Sequence, residues 1–116
     1  MVIEMETVDR DTLRDLLAAD TGTRVVMAMG PRRFAQAHIP GSETFEDLDA
    51  ALDALQRDED IVLYCSGPDC TASRWAHRVL QSRGYTSVRR YPGGLADWDA
   101  AGLPLASDDQ RREVAA

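Results

Sequence analysis

The stretch Ile61-Val62-Leu63-Tyr64 constrains the fold of this chain more than any other. Four apolar residues stand in a row, with no polar residue between them. A strand with one wet face would alternate apolar and polar residues, so this run reads as a strand, 60–65, covered on both faces. Such strands sit in the middle of parallel sheets, and parallel neighbours need helical crossovers. The flanking sequence supplies them. Asp9 can cap a helix over 10–19 that carries Leu13, Leu16 and Leu17 on one face. Arg24 to Met29 reads as a second buried strand, and Pro31 opens a short helix through Ala37. His38-Ile39-Pro40-Gly41-Ser42 is a turn, and 45–56 is helical with Leu48, Leu52 and Leu55 on one stripe. After the central strand, 71–83 reads as a helix stopped by Gly84, 87–91 as a strand and 95–101 as a short helix. Strand alternating with helix defines an α/β domain with a mainly parallel sheet.

The chain has 116 residues, room for one domain, and no internal repeat or Pro/Gly/Ser linker interrupts it. A single domain over 1–105 is expected, with a polar tail, 106–116, that frays. The longest unbroken apolar run is Val25 to Met29, far short of a membrane span. The acidic N-terminus Met1-Val2-Ile3-Glu4 does not resemble a secretory signal, and a cytoplasmic location is the default expectation. The net charge is −7. An acidic chain is a poor phosphate neutraliser, so neither nucleic acid nor membrane is expected as a partner. The charge is nonetheless segregated. From 43 to 60 there are eight acids and one arginine; from 70 to 96 there are five arginines and no acid. The acidic stretch reads as a solvated helix face.

Two cysteines, Cys65 and Cys70, flank the loop after the central strand. They are too few for a disulfide-built scaffold. They are either a reactive thiol pair or two small buried residues. Their position favours chemistry. In parallel α/β sheets, ligands bind at the carboxyl ends of strands beside helix N-termini, and Cys65 lies at such an end. In Cys65-Ser66-Gly67-Pro68-Asp69-Cys70-Thr71-Ala72-Ser73-Arg74, loop and first-turn amides have no intrahelical partner and can point at anionic sulfur. That arrangement lowers a thiol pKa. Gly67 lets the loop curl, and Ser66, Thr71 and Ser73 can add hydroxyl donors. Ala72, Trp75, Ala76, Val79 and Leu80 form the stripe expected to pack on the sheet, with Trp75 and Trp98 in the core. Arg74, Arg78 and His77 are expected on the solvated side, and His38 in a structural role at its turn.

Two other chemistries fail on spacing. Oxyanion-cradling cysteine enzymes require an arginine six residues after the nucleophile, and Thr71 stands there. A zinc site needs four ligands, and His38 and His77 bear no regular spacing to the two cysteines.

The loop resembles that of the rhodanese homology domain, a sulfurtransferase fold. Ala37-His38-Ile39-Pro40-Gly41-Ser42 is similar to that family's His-Ile-Pro-Gly-Ala signature. Gly84-Tyr85, Tyr91-Pro92-Gly93-Gly94, Trp98 and Ala101-Gly102-Leu103-Pro104 resemble its C-terminal signature. The resemblance implies a central, mainly parallel five-stranded sheet with helices on both faces. It also implies that Cys65 accepts a sulfane sulfur, becomes a persulfide and passes the sulfur on. Ser66, Gly67, Thr71, Ser73 and Arg74 would then bind the substrate. No cofactor or metal is implied. The expected partners are a small sulfur donor and a thiol, cyanide or protein acceptor. The family's loop arginine, five residues after the cysteine, is replaced by Cys70, and its Asp-x-Arg after the first strand by Met27-Ala28-Met29. Some relatives have a Cys-x4-Cys loop like this one, and there Cys70 could resolve or relay the persulfide, or the reverse. A non-catalytic module that switches Cys65 and Cys70 between dithiol and disulfide is the alternative.

Overall fold

A computed structural model describes residues 6–108. Three parallel strands form the sheet in the order β1 (Arg24–Met27), β2 (Ile61–Tyr64), β3 (Val88–Tyr91). Their register places Met27, Tyr64 and Tyr91 side by side, so all three carboxyl ends finish level. Among the described residues, a single bridge is added at each edge of these three strands. Glu43 pairs with Val26 beside β1, and Thr7 pairs with Arg90 beside β3.

Five helices cover the sheet: α1 (Arg10–Ala19), α2 (Pro31–Gln36), α3 (Leu48–Ala54), α4 (Ala72–Ser82) and α5 (Gly94–Ala100). Alternate strand residues feed two cores. Val25, Met27, Val62, Tyr64 and Tyr91 pack with Leu13 of α1 and Trp98 of α5. Val26, Ile61, Leu63 and Val88 pack with Leu55 and with Leu80 of α4. Helices therefore lie on both faces, as the unbroken apolar run of β2 requires; every residue of β2 is buried.

Caps set several boundaries. Asp9 accepts from the Thr12 amide and starts α1 where the sequence places it. Asp47 accepts from the Ala50 amide, so α3 starts at Leu48 rather than Phe45. β1 ends at Met27, two residues short of the expected limit, because Ala28 and Met29 turn away toward α2. The acidic stretch is not all one helix face. Arg24 holds Glu43 (2.6 and 2.8 Å) and Glu59 (3.0 Å), and Arg89 holds Asp60 (3.0 Å). These pairs tie the amino ends of the strands together.

Tyr64 anchors the turn after α2. Its hydroxyl accepts from the Ile39 amide (3.0 Å) and meets the Ser42 hydroxyl (2.7 Å). His38 is buried, bonded through Nδ1 to the Phe34 carbonyl (2.7 Å) and stacked on the Phe34 ring. Its role at the turn is structural. Packing continues past Leu105: Ala106 bridges His38, and the Asp108 amide donates to Ala35. The remainder of the expected tail, 109–116, lies outside the described residues, as do residues 1–5.

Candidate active site

Cys65 follows β2 directly, at the carboxyl edge of the sheet. The loop from Cys65 to Thr71 then leads into α4. Two backbone contacts from α5 hold its start. The Leu95 amide donates to the Cys65 carbonyl (3.0 Å), and the Ala96 amide donates to Ser66 (2.9 Å). The approach is so close that Gly94 (φ +60°) has no room for a side chain; a Cβ there would lie 2.3 Å from the Cys65 oxygen. Gly67 fits against Ala96. The loop closes on itself through the Cys70 amide, which donates to the Gly67 carbonyl (3.1 Å).

The two thiols differ in environment. Cys65 is buried, and Cys70 is half-buried. Cys65 Sγ lies 3.6 Å from the Cys70 carbonyl oxygen and 3.4 Å from Ser73 Oγ. Burial pushes the Cys65 thiol up. Its hydrogen bond to Cys70 pushes it further, against the opposing pull of the Ser73 hydroxyl and amide. Burial also acts on Cys70, but there the Cys65 thiol, the Ala72 and Ser66 amides and the Ser66 hydroxyl outweigh it, and Cys70 lies below an ordinary cysteine. Cys70, the outer thiol, is thus the more acidic of the two, while the inner thiol donates to the Cys70 carbonyl and the Ser73 hydroxyl. The converging amides expected from the sequence gather mostly on Cys70.

Ser66, Gly67 and Ser73 lie in contact with the cysteines. Ser73, however, is sealed in the interior between Cys65 and Arg90, whose Nε donates to Ser73 Oγ at 3.3 Å. Thr71 is exposed and its carbonyl accepts the Trp75 amide; Arg74 and Arg78 face outward.

Two expectations for α4 are corrected. Trp75 is not core but 57% exposed. His77 is not solvated but fully buried, with Nε2 on the Val88 carbonyl at 2.9 Å. The stripe that packs on the sheet is Ser73, His77 and Leu80, because the helix turns its small and polar residues toward the strand ends. Burial, and the Arg90 charge, depress the His77 pKa, and His77 Nδ1 has no partner among the described residues.

The arginine that sequence reasoning missed is Arg90, 4% exposed. The signal was present: Arg90 follows Val88 by two in a strand, so it shares the inward face. Beside the loop, Met27, Met29, Phe45, Leu48 and Trp75 help line an apolar cavity of about 300 Å³. Neither cysteine lines it. Among the described residues, no cluster of histidine, cysteine and carboxylate side chains could hold a metal ion, and no helix is long and apolar enough to cross a membrane.

A parallel α/β domain with a cysteine at the end of its central strand, the next helix beginning just beyond, defines a narrow class. The chain belongs to the Rhodanese-like domain family, whose profile matches residues 9–101. Its fold is similar to the Rhodanese-like domain of an Anabaena protein (TM-score 0.76, 25% identity, 90% of this chain and 80% of that one). A Bacillus halodurans protein superposes with TM-score 0.80 at 20% identity, over 89% of this chain and 77% of that one. A thiosulfate sulfurtransferase of Pseudomonas aeruginosa shares the fold (TM-score 0.76, 20% identity) across 90% of this chain but 20% of its own length. No curated protein sequence matches this chain significantly.

Proposed function

We propose that this chain is a sulfurtransferase that moves sulfane sulfur from a small donor to a thiophilic acceptor through a cysteine persulfide on Cys65, with Cys70 as relay. The observation that carries this reading is the asymmetric thiol pair. Cys70 is the half-buried partner, whose pKa the loop amides and the Cys65 thiol lower, and Cys65 is the buried partner matching the family's persulfide position.

The steps balance. The Cys70 thiolate attacks the sulfane sulfur of a donor such as thiosulfate; the donor's S–S bond breaks and sulfite leaves with the electron pair. The product is a Cys70 persulfide. Cys65 gives its proton to the terminal sulfur of the Cys70 persulfide and attacks that sulfur, forming a protonated Cys65 persulfide and restoring the Cys70 thiolate; the proton returns to Cys65 when the acceptor takes the sulfur. An acceptor thiolate or cyanide takes the outer sulfur from Cys65 and returns the pair to its starting state. Loop donors on Ser66, Ala72 and Ser73 stabilise the charge as it moves.

The pair's proximity also favours a second reading, a redox module that cycles between dithiol and disulfide. Turnover separates the two. Thiosulfate, 3-mercaptopyruvate and a persulfide donor are each supplied with cyanide or a thiol acceptor. At least one donor should give turnover in the wild type that Cys65→Ser removes. Turnover no higher than the Cys65→Ser background with every donor contradicts the enzyme and leaves the redox module.

A further inference from the structure

Arg90 is a buried cation whose charge no carboxylate among the described residues balances. Among the described residues, every ion pair belongs to Arg10, Arg24 or Arg89, and none to Arg90. A buried guanidinium without an anion is costly. Its backbone is occupied at the sheet edge: its amide donates to Glu6 (2.9 Å) and its carbonyl accepts from Val8 (2.7 Å). Its side chain turns instead toward α4 and the loop, where Nε reaches Ser73 Oγ (3.3 Å) and Ser73 Oγ reaches Cys65 Sγ (3.4 Å).

Hydrogen-bond polarity gives this chain of contacts a direction. Arginine can only donate, so Ser73 Oγ must accept from it. The protonated Cys65 thiol donates to the same oxygen; once that thiol loses its proton, the serine hydroxyl can turn to donate to the sulfur, and the positive charge behind it strengthens that donation. We propose that Arg90 is the buried counter-cation of the Cys65/Cys70 pair, a positioning residue that stabilises negative charge on the two thiols through the Ser73 hydroxyl bonded to Cys65. The proposal deepens the sulfurtransferase reading and rests on it for its purpose.

The charged surroundings agree. Burial and the like charge of Arg74 disfavour the Arg90 cation, while Cys65 and Cys70 favour it. His77, on the same face of α4, is depressed by burial and so stays neutral, and Glu6 acts on it from the edge segment. Asp69, the loop's own carboxylate, is exposed. Among the described residues, the cysteine pair is therefore the group placed to carry the charge opposite Arg90.

The test is the pH profile of loop-thiol alkylation by iodoacetamide, read residue by residue by mass spectrometry, alongside thermal unfolding. Arg90→Met should move the midpoint of the reactive thiol up by about one pH unit, making alkylation about tenfold slower below that midpoint. Thermal unfolding identifies which variants fold, so that only folded protein enters the comparison. Arg90→Lys, which keeps the charge, should stay close to the wild-type profile. An unchanged profile in Arg90→Met overturns the proposal. So does a profile that moves equally in Arg90→Lys. If Arg90→Met does not fold, Arg90→Gln takes its place against Arg90→Lys under the same criteria. The readout needs no sulfur donor. A chain that fails to turn over sulfur can still show the shift, so failure of the function and failure of the Arg90 role are distinguishable.

Discussion

Gly94 and Cys65 are in such close contact that the first has no space for a methyl group: its Cβ would lie 2.3 Å from the second's carbonyl oxygen. Gly94 also sits at φ +60°, a conformation that costs any other residue about 1 kcal/mol or more. Gly94→Ala is therefore expected to push α5 off the loop and break the Leu95–Cys65 and Ala96–Ser66 hydrogen bonds. Stability should fall by about 2 kcal/mol or more in urea unfolding. Sulfur transfer should fall more than tenfold in the fraction that still folds. Wild-type turnover in the folded variant would show that the loop does not depend on this contact.

The thiol pair predicts an order of modification. At neutral pH, with less than one equivalent of iodoacetamide, Cys70 should be labelled well before Cys65. It is both the more exposed and the more acidic thiol. Peptide mapping gives the answer directly. Preferential labelling of Cys65 would reverse the assignment of entry and storage thiols.

His77 predicts a pH dependence of stability. Burial holds its folded pKa below its unfolded value near 6.5, so the unfolded chain binds the extra proton first. The stability that neutral His77 contributes is present above about pH 6.5 and declines as the pH falls from there toward the folded pKa. His77→Gln, which can keep an N–H on the Val88 carbonyl, should flatten the loss between about pH 7 and 5.5. A variant whose pH profile matches the wild type would assign that loss to the carboxylates instead.

Tyr64 predicts a cost far from the cysteines. Tyr64→Phe leaves the Ile39 amide without its acceptor and removes one of the Ser42 hydroxyl's partners, leaving it the Ile39 carbonyl. The expected loss is about 1–3 kcal/mol. The effect should fall on stability and not on thiol reactivity, as denaturant unfolding and alkylation rates measured on the same samples would reveal. Unchanged stability would mean that the turn does not rely on the hydroxyl.

The sequence makes the main elements legible where local signals agree. β2 follows from an uninterrupted apolar run, α1 from a capping aspartate and a leucine stripe, and the location of Cys65 from the turn-rich loop behind it. The errors on α4 share one cause. Hydropathy puts Trp75 inside and His77 outside, yet the strand ends leave space for Ser73 and His77, and a carbonyl of Val88 is available to satisfy the imidazole. Arg90 was missed for the same reason: a charged residue reads as surface unless the strand's alternation is allowed to override it. Edge pairing by Thr7 and Glu43 depends on residues far apart in sequence, and no local signal reports it.

Mass spectrometry of the loop peptide after brief exposure to a sulfane donor tests the central claim most directly. The account predicts one added sulfur atom on Cys65 in the wild type. In Cys65→Ser the atom should stay on Cys70, and in Cys70→Ser loading of Cys65 should be at least tenfold slower. Absence of added sulfur on either cysteine of the wild type, with every donor that the assay supplies, would contradict it.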